Sequence, residues 1–225
     1  MRGDDHIGIS LGVAFLIISP ILISQPVISV LFLIGVIIGS LLPDADASDS
    51  KMYYMSEIVL AFALLMKPIV YLTRSVYKLL HIHYDSRHRK SLHTILGITI
   101  SVIMLSLLIN IVVLLIGLWT PLLIPLCIGL YVGSIFHLIE DCCTKSGLSP
   151  LLPFSDRHFS GKIITSSRRN FCNGRPDLYA KIPLILGGGV LITGVLVEGL
   201  DMNMVFCVTV LLGILIWPVM YCVSR

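Results

Sequence analysis

Apolar runs long enough to cross a bilayer constrain this chain more than any single motif does. A hydrocarbon core about 30 Å thick takes roughly 17–25 helical residues. Runs near that length lie at 7–24, 27–42, 92–118, 122–139, 182–197 and 204–223. Turn signals separate them at Gln25-Pro26, at Trp119-Thr120-Pro121 and between Glu198 and Asn203. Composition agrees, with 56% hydrophobic residues, 13% charged residues and a mean hydropathy of +0.95. Soluble domains carry about a quarter charged residues, so the chain reads as an integral membrane protein. The expected fold is all-α, a polytopic membrane helical bundle with about six transmembrane helices, forming one domain over 1–225.

A seventh run, 58–72, is short and carries Lys67-Pro68 near its middle. Lys67, Arg74 and Lys78 are spaced seven and four apart, which places them on one helical face. A basic stripe of this kind suits a helix lying at the interface towards lipid phosphates, so 57–80 is expected to be interfacial, with a short span as the alternative. Six crossings from a cytoplasmic N-terminus put all 16 Lys and Arg on the cytoplasmic side, counting Lys67 as interfacial. That one-sidedness predicts cytoplasmic N- and C-termini. The six cysteines form no C-x-x-C pair and read as reduced thiols. The acidic start, MRGDDHIGIS, reads as a retained first helix and not as a signal peptide.

Within this frame the ionisable residues collect at one end. His137 and Asp141 are four apart, so on a helix they share a face where the fourth run turns polar. An imidazole and a carboxylate one turn apart can form half of a divalent-metal site. They can equally form a local hydrogen bond. His6 precedes the first run, Asp44 and Asp46 follow the second in LLPDAD, and His88 and His93 straddle the start of the third. Each has a local alternative: a terminal residue at His6, turn or capping residues after Pro43, a juxtamembrane basic cluster around Arg87-His88-Arg89-Lys90. His93, inside an apolar segment, calls for a partner. All seven fall at cytoplasmic helix ends; His81, His83 and His158 fit that pattern poorly and read as solvated loop residues.

The motifs GDDHIGIS, LLPDADAS, HRKSLHT and HLIEDCCTKSGLSPLLPF occur in that order. Together they resemble the family of inner-membrane metal-dependent hydrolases typified by the LexA-regulated membrane protein YdjM. The resemblance covers about the first 160 residues, with 182–223 matching as generic spans. The fourth motif is the most specific, with His137, Asp141, Thr144, Gly147, Pro153 and Phe154 all in place. The resemblance implies an inner-membrane location and a metal set of His6, Asp44, Asp46, His88, His93, His137 and Asp141, with Asp46, His88 and Asp141 as catalytic candidates. Ala47 stands where the family has His, Lys90-Ser91 replaces Gly and its neighbour, and Leu92 stands where Thr precedes the second His.

Mixed His/Asp ligation suits Zn²⁺ first and Mn²⁺ second. The expected reaction is hydrolysis by metal-activated water. Arg87, Arg89 and Lys90 would neutralise an anionic substrate oxygen. At headgroup depth the expected partners are membrane lipids, with a lipid or isoprenoid phosphate as substrate, an amide or ester next, and no nucleic acid. The alternatives are a divalent-cation transporter, which needs polar residues near mid-membrane, and a non-catalytic lipid- or partner-binding protein, which Ala47 keeps open.

Overall fold

The computed structural model describes residues 3–46, 57–85, 90–163, 175–197 and 199–224. Among the described residues seven α-helices follow one another: α1 (Gly3–Ile18), α2 (Pro26–Leu41), α3 (Glu57–Leu79), α4 (Ile95–Leu115), α5 (Leu123–Cys142), α6 (Arg175–Leu196) and α7 (Met202–Ser224). The 3-10 turns Leu42–Asp46 and Ser91–His93 lie against them. No strand occurs among the described residues, so the fold is the expected helical membrane bundle.

Among the described residues five helices are long and apolar enough to cross a membrane: Pro26–Ala45, Ile95–Leu115, Leu123–Cys142, Pro176–Leu196 and Met202–Val223. The run expected at 7–24 is the exception to the count of six. It forms a helix of only 16 residues, about 24 Å of rise. Asp4 and Asp5 in its first turn suit the positive end of the helix dipole, so it starts early. It stops at Ile18 because Pro20 cannot continue it. Ile9, Val13, Ala14 and Leu16 are fully buried, so α1 is an interior element of the bundle.

α2 and α5 form the centre, and glycine sets their separation. Gly35 and Gly39 face Gly129 and Gly133, two small-x-x-x-small pairs meeting across one interface. A Cβ at Gly39 would lie 2.1 Å from the Leu130 carbonyl oxygen, and one at Gly133 2.2 Å from that of Val36. This close approach lets Ser134 donate to the Gly39 carbonyl at 2.9 Å. It also brings the end of α5 against the turn that follows α2. α1, α6 and α7 pack on one side around Ile9, Val13, Phe136 and Trp217. α3 and α4 lie on the other, around Leu42, Met66, Ile69, Val102 and Leu130.

α3 is not among the five candidate spans. Lys67, Arg74 and Lys78 are exposed along it, as the stripe predicts, while Met66, Ile69, Thr73 and Tyr77 are buried. Thr73 shares a 2.9 Å hydrogen bond with Ser101 of α4. Tyr77 donates to the Ser91 carbonyl at 3.1 Å. The helix therefore leans on α4 and fixes the turn that carries His93.

The chain after α5 folds back over that end of the bundle. Leu148 and Phe159 exchange backbone hydrogen bonds at 2.8 Å, and the Ile95 N–H donates to Pro150 at 2.8 Å. Gly147 adopts φ +63°, and a Cβ there would meet the Phe159 carbonyl oxygen at 2.3 Å, so only glycine fits. Thr144 donates to the Asp141 carbonyl at 2.7 Å and closes the end of α5.

Candidate metal centre

Four elements each deliver a ligand-bearing side chain to one point. His6 comes from α1, Asp44 from the turn after α2, His93 from the turn before α4, and His137 with Asp141 from the last turns of α5. His6, His93 and His137 are 1%, 0% and 0% exposed, and Asp141 is 1% exposed. The rings of His6 and His137 stack with centroids 4.0 Å apart, and those of His93 and His137 meet edge-on at 5.4 Å.

The Nε2 atoms of all three imidazoles face carboxylate oxygens. His6 Nε2 lies 3.7 Å from Asp141 Oδ1. His93 Nε2 lies 3.1 Å from Asp44 Oδ1 and 3.7 Å from Asp141 Oδ2. His137 Nε2 lies 3.9 Å from Asp44 Oδ1 and 3.7 Å from Asp141 Oδ2. Two triads, His6–His137–Asp141 and Asp44–His93–His137, each keep their ligand atoms within 4.8 Å of one another. Nitrogen and oxygen ligands at about 2.0–2.2 Å from an ion are themselves separated by about 3 to 3.6 Å. The observed spacings sit close to that range.

The other ring nitrogens fix which atom carries the lone pair. His137 Nδ1–H donates to the Ser40 carbonyl at 2.7 Å, leaving Nε2 as the acceptor in the neutral ring. That Nε2 is buried and has no hydrogen-bond partner. A buried lone pair facing two carboxylates is unfavourable unless a proton or a metal ion lies between them. His6 Nδ1–H donates to Glu140 Oε2 at 2.5 Å, and Ser10 donates to Glu140 Oε1 at 2.9 Å. Carboxylate–histidine pairs of this kind orient metal-ligating imidazoles and raise their basicity. The residues present therefore fit a divalent ion.

Five of the seven ligand candidates converge: His6, Asp44, His93, His137 and Asp141. Asp46 ends the 3-10 turn, and its side chain lies outside the described residues, as do Ala47, Arg87, His88 and Arg89. Lys90 is exposed and immediately precedes the His93 turn. His81, His83 and His158 stay away from the centre: the first two are exposed on the chain after α3, and His158 pairs with Ser149 at 3.2 Å.

Glu140 was not singled out from the sequence. It is fully buried and meets His6 across 134 positions, a contact no local pattern encodes. The available signal was a second carboxylate immediately after the apolar fourth run, beside Asp141, where an ionisable group at a span's end implies a partner. Ser10 carried a further one, since it lies one turn after His6 on the same face. Replacing Glu140 by Gln keeps the shape but weakens the acceptor for His6. Metal affinity should fall about 10–100-fold, read by competition with a chelator; unchanged affinity would show that Glu140 does not orient His6.

The family model described as YdjM inner membrane protein matches residues 1–220. No curated protein and no solved structure matches the chain.

Proposed function

The chain belongs to the YdjM inner membrane protein family, and on that premise we propose that it is a multi-pass inner-membrane hydrolase built around one divalent ion. The observation that carries this reading is the buried Nε2 of His137, aimed between the carboxylates of Asp44 and Asp141 at 3.9 and 3.7 Å and flanked by two more imidazoles. One imidazole nitrogen serves one ion, and His137 Nδ1 is already engaged by Ser40. The two triads, which share His137, therefore share a centre. Nitrogen and carboxylate donors favour Zn²⁺, with Mn²⁺ next. Such an ion polarises a substrate oxygen and makes water acidic enough to attack near neutral pH.

The protein's own groups do the positioning. Ser10, Glu140 and the Ser40 carbonyl hold two imidazoles in their tautomers. Asp44 is the most open member, with 19% side-chain exposure against 2% or less for the others. Substrate therefore approaches past Asp44, with Lys90 and its sequence neighbours Arg87 and Arg89 available to an anionic oxygen. The ligands end four helical segments at one level, where the nearest phosphoester is a lipid or isoprenoid phosphate. Metal-loaded protein should release inorganic phosphate from such lipids, and Asp44→Asn and Asp141→Asn should abolish the release. Wild type no faster than Asp141→Asn on phosphoester, carboxylester and amide substrates alike would contradict the assignment.

This reading places the centre on the cytoplasmic face, with both termini on that side once the buried α1 is counted as a sixth, shorter crossing beside the five spans, because the Lys and Arg residues flank the same helix ends. Reporters fused after Arg225 and within 198–203 should label opposite sides of the membrane; labelling on one side would overturn that orientation.

A further inference from the structure

The exposed face of α3 borders a groove that the metal centre does not use. Tyr71, Arg74 and Lys78 line one wall, and Ile82, His83 and Tyr84 line the other, around a volume of about 520 Å³. Arg74 and Lys78 are one turn apart and both exposed, and Tyr71, 71% exposed, lies one turn before Arg74. A second depression of about 210 Å³ shares Ile82 and His83 and continues to Lys90, Ser91 and Thr94. Its acidic member is Asp85. Ser91 and Thr94 flank His93, so the groove runs from the basic face of α3 to the turn holding a metal-site residue.

We infer that this groove binds the headgroup of an anionic phospholipid, with Arg74 and Lys78 meeting the phosphate. Charge complementarity is one part of the argument: among the described lining residues, the cationic side chains of Arg74, Lys78 and Lys90 outnumber the carboxylate of Asp85. The level is another. Tyr77, on the buried side of the same helix, bonds to Ser91 and Thr94 at the start of a membrane-spanning helix. That is where headgroups lie, and an exposed tyrosine there suits the interface. Apolar exposure completes the match, because Leu72, Leu79 and Leu80 are 41%, 78% and 49% exposed beside the cations. A free anion would leave these leucines facing water, whereas a lipid covers them with acyl chain. Only the lipid's later cleavage rests on the hydrolase reading; its binding does not.

The test uses the full chain in an uncharged detergent, titrated with phosphatidylglycerol or phosphatidylcholine micelles and, separately, with inorganic phosphate. Each basic residue near an anionic surface contributes about fivefold in affinity. Arg74→Gln/Lys78→Gln should therefore bind phosphatidylglycerol about 25-fold more weakly, with bound metal unchanged. Lys145→Gln/Lys162→Gln removes the same charge from exposed loop positions and should bind as wild type does. Equal losses in both double variants would reduce the effect to net charge and overturn the site. Equal binding of phosphatidylcholine, or inorganic phosphate displacing the lipid at similar concentration, would overturn the anionic-lipid assignment. Loss of metal in Asp141→Asn with lipid binding intact would separate this inference from the metal centre.

Discussion

His137→Ala and Asp141→Asn are each expected to lose bound metal while the helical bundle survives. Both residues sit at the end of α5, where they contribute chiefly to the polar centre and little to the apolar contacts between helices. The loss should exceed the roughly 10–100-fold expected for an outer-shell partner such as Glu140. If metal is removed, a thermal signature follows. Ligand at a thousandfold its dissociation constant stabilises a folded protein by about 4 kcal/mol. A chelator should therefore lower the melting temperature of wild type and leave Asp141→Asn nearly unmoved. His81→Ala and His158→Ala are the controls and should keep metal, since neither side chain reaches the centre. Were the centre only a set of local hydrogen bonds, each substitution would cost about 0.5–1.5 kcal/mol and metal content would not respond. Unfolding of both variants would shift the comparison to Asp44→Asn, whose partly exposed side chain is more easily spared.

Gly39→Leu should damage the protein more than any single substitution of a ligand. Its Cβ would fall 2.1 Å from one backbone oxygen, and backbone cannot rotate aside as a side chain can. Overpacking costs about 1–3 kcal/mol even where side chains can yield. At about 2–4 °C per kcal/mol, a loss of 3 kcal/mol lowers the melting temperature by roughly 6–12 °C. The centre should fail with it, because α2 supplies the Ser40 carbonyl that orients His137 and leads into the turn carrying Asp44. Gly188→Leu is the matching control, as a Cβ there meets nothing within 4 Å. Thermal unfolding and metal content of the two variants decide the matter. Equal stability of Gly39→Leu and wild type, or equal damage in Gly188→Leu, would mean that the α2–α5 approach does not hold the site.

Most of the bundle was legible in the sequence because membrane length imposes a simple rule on apolar runs. The rule misplaces ends, and the reasons are local. The fourth run stops at Ile139 by hydropathy, yet α5 continues to Cys142, because polar groups extend a helix once they have buried partners. The fifth starts at Ile182 by hydropathy, but its helix begins at Arg175, with Pro176 in the first turn, where its missing N–H costs nothing. The role of Gly35, Gly39, Gly129 and Gly133 emerges only once α2 lies against α5, since nothing local says which helices they join. His6, Asp44, His93, His137 and Asp141 could be assembled from the sequence because each ends or begins an apolar run, so topology alone put them at one depth. Glu140 and Ser10 could not, since their role appears only once α1 lies against α5.

X-ray absorption on the purified protein tests the metal centre most directly. Cys142 and Cys143 follow Asp141 immediately, and Cys143 is buried, so thiolate ligation is the nearest competitor. The expected result is a stoichiometric divalent ion, zinc first, surrounded only by nitrogen and oxygen at about 2.0–2.2 Å, with the multiple-scattering pattern of imidazole. A sulfur shell at about 2.3 Å, or protein that takes up no divalent ion, would contradict it.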